Sequence, residues 1–408
     1  MIDRWAGTMM ELMTEPRHSV HVVWDDALAR YDFGPEHPLN PTRLVLTMKL
    51  AEAMGVFNSP DVHIVAPVGT DDAQLMSVHT VDYVAAVRAA STRPAFVDPS
   101  HGLGTDDNPC FADMHAASAR IVGATVAAAH AVWDGRAIHA VNIAGGLHHA
   151  MPDSAAGFCV YNDPAVGIRS LLDAGATRVA YVDVDVHHGD GVQAIFYDDP
   201  RVLTISLHES PRTLFPGTGY PDETGGPRAP GSAVNVALPP GTGDTGWLRA
   251  FYAVVPPLLR AWQPQILVTQ HGCDSHLEDP LAHLALTVDG QRASYQVLHA
   301  LAHELCDGKW VATGGGGYAL VEVVPRSWTH LLAIAADKPI EPTAEVSASW
   351  RDHVFAKYGR IAPRRMTDGG DATFQDWSSG NDPADALDQA ITATRSAVFP
   401  FHDIDPLH

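Results

Sequence analysis

The stretch RVAYVDVDVHHGDG, residues 178–191, decides how this chain is read. The run 178–186 is apolar and β-branched, broken by acids at alternate positions, as expected for a strand covered on both faces. Side chains alternate faces along a strand, so Asp183, Asp185 and His187 fall on one face at its end. Burying an unpaired carboxylate is costly. An Asp-x-Asp-x-His row at a strand terminus is a natural metal seat, supplying anionic oxygen and imidazole nitrogen together. For this segment alone, a hydrogen-bonded structural cluster is the alternative.

Runs of the same kind recur at 19–24 (SVHVVW), 137–145 (AIHAVNIAG), 201–208 (RVLTISLH), 233–238 (AVNVAL), 265–270 (QILVTQ) and 309–315 (KWVATGG). Helical patterns at 114–135, 162–175, 244–262 and 290–305 lie between them. Strand alternating with helix predicts an α/β fold: a single domain with an open, mainly parallel β-sheet and helices on both faces. From about 336 the chain turns polar, notably in MTDGGDATFQDWSSGNDP, and FAKYG and AVFPF offer docking points for this C-terminal extension.

The net charge of −22 repels nucleic-acid phosphates, so direct nucleic-acid binding is not expected. Solubility is the plain reading of that charge, and attraction of basic, lysine-bearing substrates is the functional one. The four cysteines form no CxxC pair, which argues against a thiolate zinc site, and so few in a chain this long suggest a reducing compartment. The first 18 residues carry acids and no apolar run, unlike a signal peptide. No stretch approaches the roughly 20 apolar residues of a membrane helix. A cytoplasmic protein without a membrane partner is expected, of unread oligomeric state.

Ligands gather beyond the carboxyl ends of parallel strands, and four of the apolar runs end in polar motifs. IAG is followed by GLHH, YVDVDV by HHGDG, LVTQ by HGCDSH, and VAT by GGGGY. A lone Asp274 after a strand is by default a turn or cap residue. It gains meaning because catalytic zinc typically takes three protein ligands, and Asp185 and His187 supply two. The pair His148-His149 follows two glycines, and Asp183 and Asp190 are acids left over from the ligand set. Two histidines and two spare carboxylates suggest two hydrogen-bonded pairs that fix imidazole tautomers. Tyr318, after four glycines, offers a phenol to a developing oxyanion; no Lys-Ser/Thr follows, which excludes a P-loop. Gly157-Phe158 and Leu214-Phe215 bring aromatics that could wall a slot for an aliphatic chain.

In this order, GGLHHA, GFCVYND, YVDVDVHHGDGV, TISLH, LFPGTG, GCDSHLEDPLAHL and GGGGY resemble the histone deacetylase branch of the arginase–deacetylase fold, and bacterial acetoin-utilisation deacetylases above all. The resemblance runs over 18–335, taken as the catalytic domain, with 336–408 as an extension packed on it. It implies zinc-dependent hydrolysis of Nε-acetyl-lysine amides in proteins, with acetylated metabolic enzymes such as acyl-CoA synthetases as substrates; ferrous iron would suit the same ligands. It implies Asp185, His187 and Asp274 as metal ligands, and His149 with Asp190 as general base and acid. It implies His148 with Asp183 as the electrostatic partner, and Tyr318 as the carbonyl-polarising phenol. Gly157, Phe158 and Phe215 match the acetyl-lysine tunnel and Leu281 its rim. Asp106 matches the carboxylate that holds the substrate backbone, with Asp107 beside it because this loop carries one extra residue. Arg43 matches the arginine of an acetate-release channel. Asp183, Asp185, His187, Phe196, Ser206 and Leu207 match a structural potassium site. Leu147 and Leu214 depart from the Trp and Phe common there, which bears on acyl-chain length. A binuclear manganese ureohydrolase would need acids where this chain has Gly189 and His276. An acetylpolyamine deacetylase is the remaining rival, although Leu281 gives no acidic gatekeeper. A catalytically dead scaffold is disfavoured because the assigned catalytic set is complete.

Overall fold

A computed structural model describes residues 19–407; the N-terminal segment 1–18, including His18 and the stretch compared above with a signal peptide, lies outside the described residues. Eight strands make one sheet: β1 (Val20–Val23), β2 (Val62–Val65), β3 (His139–Asn142), β4 (Val179–Asp183), β5 (Val202–Glu209), β6 (Ala233–Leu238), β7 (Ile266–Gln270) and β8 (Trp310–Thr313). Their order is β2-β1-β3-β8-β7-β4-β5-β6, and every neighbouring pair is parallel. The sheet is therefore wholly parallel, where the sequence led us to expect a mainly parallel one. Every residue of β3, β4, β5, β7 and β8 is buried, so both faces of the central sheet are covered, which explains their nearly continuous apolar sequences.

The four strands that end in polar motifs, β3, β8, β7 and β4, are four consecutive neighbours at the middle of the sheet. Their closing register row is Asn142, Thr313, Gln270 and Asp183, and it continues through Ser206 on β5 and Asn235 on β6. Apolar strand gives way to polar loop along one line, and that line is the floor of the site.

Two capped helices hold the loops beside it. Asn162 caps Asp163–Asp173 by accepting from the Ala165 amide, with Pro164 in the first turn. Thr287 caps Val288–Leu305 by accepting from the Asp289 amide.

The residues after 336 make specific contacts with the rest of the chain. Trp350 and Val354 join Leu46, Leu50 and Met366 in a second, smaller apolar core, and the Trp350 indole donates to the Leu46 carbonyl at 3.0 Å. Buried Arg249 pairs with Asp388 at 2.8 Å and donates to the carbonyls of Gln375, Asp376 and Gly380. Of the two docking stretches read from sequence, AVFPF buries Val398 and Phe399, and FAKYG packs Tyr358 against the second core while its Phe355 faces solvent.

Candidate active site

Beyond β4 the chain leaves the sheet in two successive turns. The Asp185 amide donates to Asp183 Oδ1 at 3.1 Å, and the His187 amide to Asp185 Oδ1 at 3.0 Å. These turns extend the two-residue period past the last ladder bond, which is why strand alternation locates the ligands although β4 ends at Asp183. His187 Nδ1 lies 3.1 Å from Asp185 Oδ1 and 3.1 Å from Asp274 Oδ2. All three residues are buried, and their ligand atoms fall within 4.8 Å of one another.

The donor set fits a divalent cation. Two anionic oxygens and one imidazole nitrogen converge from two strand ends. Burial, then the charge of Asp185, pushes the Asp274 carboxyl up to about 6. Burial acts to lower His187, but its hydrogen bonds to Asp185 and Asp274 outweigh that and raise it to about 10. Excess negative charge is thus collected where a cation would sit. The neighbouring backbone leaves room only for hydrogen: a Cβ on Gly316 would fall 1.9 Å from Asp274 Oδ2, and one on Gly272 2.0 Å from Asp185 Oδ2.

His148 and His149 stand beside this cluster. His148 Nδ1 is 2.7 Å from Asp183 Oδ2, His149 Nδ1 is 2.7 Å from Asp190 Oδ1, and the two Nε2 atoms are 3.0 Å apart. Each carboxylate accepts a hydrogen bond from Nδ1–H, which turns the Nε2 atoms toward the site. Burial would lower both rings equally, but their partners differ. Asp183 and Asp185 overcome burial at His148 and hold it at about 9. Burial and the charge of His148 hold His149 down to about 4 despite Asp190. At neutral pH His148 is charged and His149 is a neutral base, a pair driven apart by environment.

His148, His149, Asp185 and His187 line a narrow cavity together with Leu39, Gly157, Phe158, Gly315 and Tyr318. Phe158 meets Tyr318 edge to face at 5.8 Å, and half-exposed Phe215 lies 5.0 Å from the His149 ring. Phe158 is held at φ 68°, an uncommon conformation for a bulky residue that needs support from its surroundings. Gly157 beside it has no alternative: a Cβ there would strike His149 at 2.4 Å and Phe215 at 2.9 Å.

Other residues of the expected site lie further off. Arg43 is buried, donates from Nη1 to the carbonyls of Gly315 and Gly317, and stacks over Trp328 at 5.0 Å. Asp106 and Asp107 are exposed and do not line the cavity, but the Asp107 carbonyl contacts His37, whose ring packs on Phe158 at 4.6 Å. Leu281 is half-buried outside the cavity lining, its amide bound to Asp279. Asp183 and Ser206 are register partners, Leu207 follows on β5, and Phe196 closes the helix Asp190–Phe196.

Three supporting residues escaped the sequence reading. Gln270 donates to Asp185 Oδ2 at 2.7 Å and to the Gly146 carbonyl, tying a ligand to the histidine loop. Asp163 accepts from the Gly146 and Leu147 amides. Asp279 accepts from the Tyr318 amide, and burial, then Asp274, pushes it up to about 7. The only signal for the first was a glutamine ending an apolar strand.

A family model described as the histone deacetylase domain matches residues 37–335. The chain belongs to the histone deacetylase family. It is 40% identical over 365 residues to the acetoin utilization protein AcuC of Bacillus subtilis (strain 168), covering 89% of this chain and 90% of that protein. It is 37% identical over 348 residues to AcuC of Staphylococcus aureus (strain MRSA252), covering 85% of this chain and 89% of that protein. Among solved structures, an HDAC homologue from Aquifex aeolicus superposes with a TM-score of 0.79 at 26% identity, over 92% of this chain and all of that one. An HDAC homologue complexed with SAHA gives 0.78 at 26% identity, over 93% of this chain. The wholly parallel sheet is thus the sheet of the arginase–deacetylase fold, and the enzyme is a hydrolase of the deacetylase type. No helix of the described residues is long and apolar enough to cross a membrane.

Proposed function

We propose that this histone deacetylase family member hydrolyses Nε-acetyl-lysine amides in proteins, releasing acetate and lysine, with zinc held by Asp185, His187 and Asp274. The observation that carries the reading is the pair of buried His–Asp dyads beside the carboxylate–imidazole cluster, with His148, His149, Asp185 and His187 lining one narrow cavity that has Phe158 on its wall. Ferrous iron suits the same donors. When bound, the cation supplies Lewis-acid polarisation of the amide carbonyl and lowers the pKa of water.

The chain's own groups do the rest. Neutral His149 accepts the proton of the attacking water at Nε2, while Asp190 holds its Nδ1 proton and steadies the imidazolium that forms. Charged His148 stabilises the negative charge that develops, and Asp183 keeps it charged. The Tyr318 phenol donates to the oxyanion. His149 then returns its proton to the leaving lysine nitrogen. Phe158 and Phe215 flank the aliphatic lysine stem, over Gly157. The Asp106–Asp107 loop and Leu281 form the rim, a reading supported by the contact from Asp107 through His37 to Phe158. Acetate leaves past Arg43, a buried cation at the glycine loop. Asp183, Asp185, His187, Phe196, Ser206 and Leu207 would hold a structural potassium ion; the register pairing of Asp183 with Ser206 supports this.

Substrates are acetylated metabolic enzymes such as acyl-CoA synthetases, acted on in the cytoplasm. The relatives named for acetoin utilisation support the first, and four free cysteines the second. Tyr318→Phe is expected to keep its metal and lose roughly 10²–10³ in kcat, the effect of one oxyanion donor; full activity would remove the phenol from the mechanism. The substrate class is tested by offering a fluorogenic acetyl-lysine peptide and N-acetylputrescine to the same metal-loaded preparation. Turnover of the peptide is expected, whereas turnover of the polyamine alone would overturn the protein-substrate reading.

A further inference from the structure

At the opposite ends of the strands from the catalytic motifs, His139 opens β3. Its ring meets two histidines of the helix Val288–Leu305, His299 and His303, and beyond them Asp337, just past the helix Val324–Ala335. We infer that His139, His299, His303 and Asp337 form a second metal site, for a divalent transition-metal cation such as zinc, separate from the catalytic cluster.

The geometry carries this. His299 and His303 are four residues apart and so share a helix face. The Nε2 atoms of His139 and His303 are 3.1 Å apart, those of His303 and His299 3.2 Å, and His299 Nε2 is 3.1 Å from Asp337 Oδ1. Four ligands about 2.0–2.1 Å from one zinc ion would stand roughly 3.3 Å from each other at the corners of a tetrahedron. The observed spacings are close to that edge.

Protons alone do not satisfy these contacts. His139 Nδ1 lies 2.7 Å from the Ala335 carbonyl and must donate to it, so the neutral ring presents a bare lone pair at Nε2. If His303 donates to His139 and His299 donates to Asp337, two N–H groups oppose each other between His303 and His299. If His303 donates to His299 instead, lone pairs face one another at the other two contacts. A cation accepts all four at once. The bond from His139 to a backbone carbonyl is also the outer contact that metal-bound histidines make.

Access and placement agree with the role. His303 and Asp337 are exposed, His299 half-buried and His139 buried, so an ion enters from solvent and is clamped at depth. Asp337 sits at φ 54°, where a helix usually ends in glycine, and turns its carboxylate back to His299. The ion would tie three elements: β3, the helix Val288–Leu305 and the end of Val324–Ala335.

The test is a metal count on full-length, chelator-stripped protein titrated with Co²⁺. Two equivalents per chain are expected for the wild type. One is expected for the His299→Ala/His303→Ala double variant, which keeps its hydrolytic activity, and one for Asp274→Ala. In Asp274→Ala the remaining Co²⁺ should quench tryptophan fluorescence, because the Trp310 ring lies 5.6 Å from both His139 and His299. A wild type that binds one equivalent, or a double variant that still binds two, would overturn the inference whatever the activity.

Discussion

His149→Ala is expected to lower kcat on an acetyl-lysine peptide by about 10⁴, the upper end for a general acid–base group, whereas His148→Ala should lower it by about 10². The two rings are adjacent, equally buried and each bound to a carboxylate at 2.7 Å, so sequence and burial do not separate them. Their charge does. His148 sits near two carboxylates that outweigh its burial and is held at about 9; burial, then its neighbour's charge, holds His149 at about 4. Only the neutral ring carries a lone pair at Nε2 at pH 7, facing His148 Nε2 at 3.0 Å. Removing it deletes both proton transfers, whereas removing His148 deletes a positive charge that assists them. Steady-state kinetics on both variants, each with its metal content measured, checks the ranking. Equal losses would mean that the pair works as one unit, and a larger loss at His148 would reverse the assignment.

Gly316→Ala should abolish activity through the metal without touching a ligand residue. The added methyl would fall 1.9 Å from Asp274 Oδ2 and 3.0 Å from Asp185 Oδ2, and neither carboxylate can withdraw. Asp274 is fixed by the Val186 amide at 3.0 Å and by His187, and Asp185 by Gln270 and the Gly316 amide itself. We expect catalytic-site metal affinity to fall by at least the roughly 100-fold seen when groups orienting metal ligands are lost, with no kcat left at micromolar zinc. Far-ultraviolet circular dichroism should be unchanged, because the clash lies in a loop. Wild-type zinc affinity in this variant would show that the loop can yield and that the glycine is not required.

Much of this arrangement was legible in the sequence because the physics that made it is local. Two-residue alternation past Val182 put Asp183, Asp185 and His187 on one line, and the structure keeps that line with side-chain-capped turns. Buried parallel strands had to read as apolar runs, and seven of the eight did. The exception, β2, lies at the sheet edge with His63 and Ile64 exposed, so no apolar run marks it. The helix Val324–Ala335 is buried along its whole length, polar Arg326, Ser327, Thr329 and His330 included, so its polar side meets protein rather than solvent. Gln270, Asp163 and Asp279 were missed for another reason. Their work lies in who accepts from whom across distant loops, and as single letters they look like a strand end, a cap and a turn. Asp106, Leu281 and Phe215 stand outside the cavity lining, on loops whose mutual geometry has no period that a sequence would show.

The central claim is metal-dependent hydrolysis of acetyl-lysine at the Asp185–His187–Asp274 cluster. It is tested most directly by following acetate release from an acetyl-lysine peptide with zinc-loaded, chelator-stripped and reloaded protein. The account predicts turnover in the first, none in the second and its return in the third. Turnover that survives complete removal of metal, or none in the fully loaded protein, would contradict it.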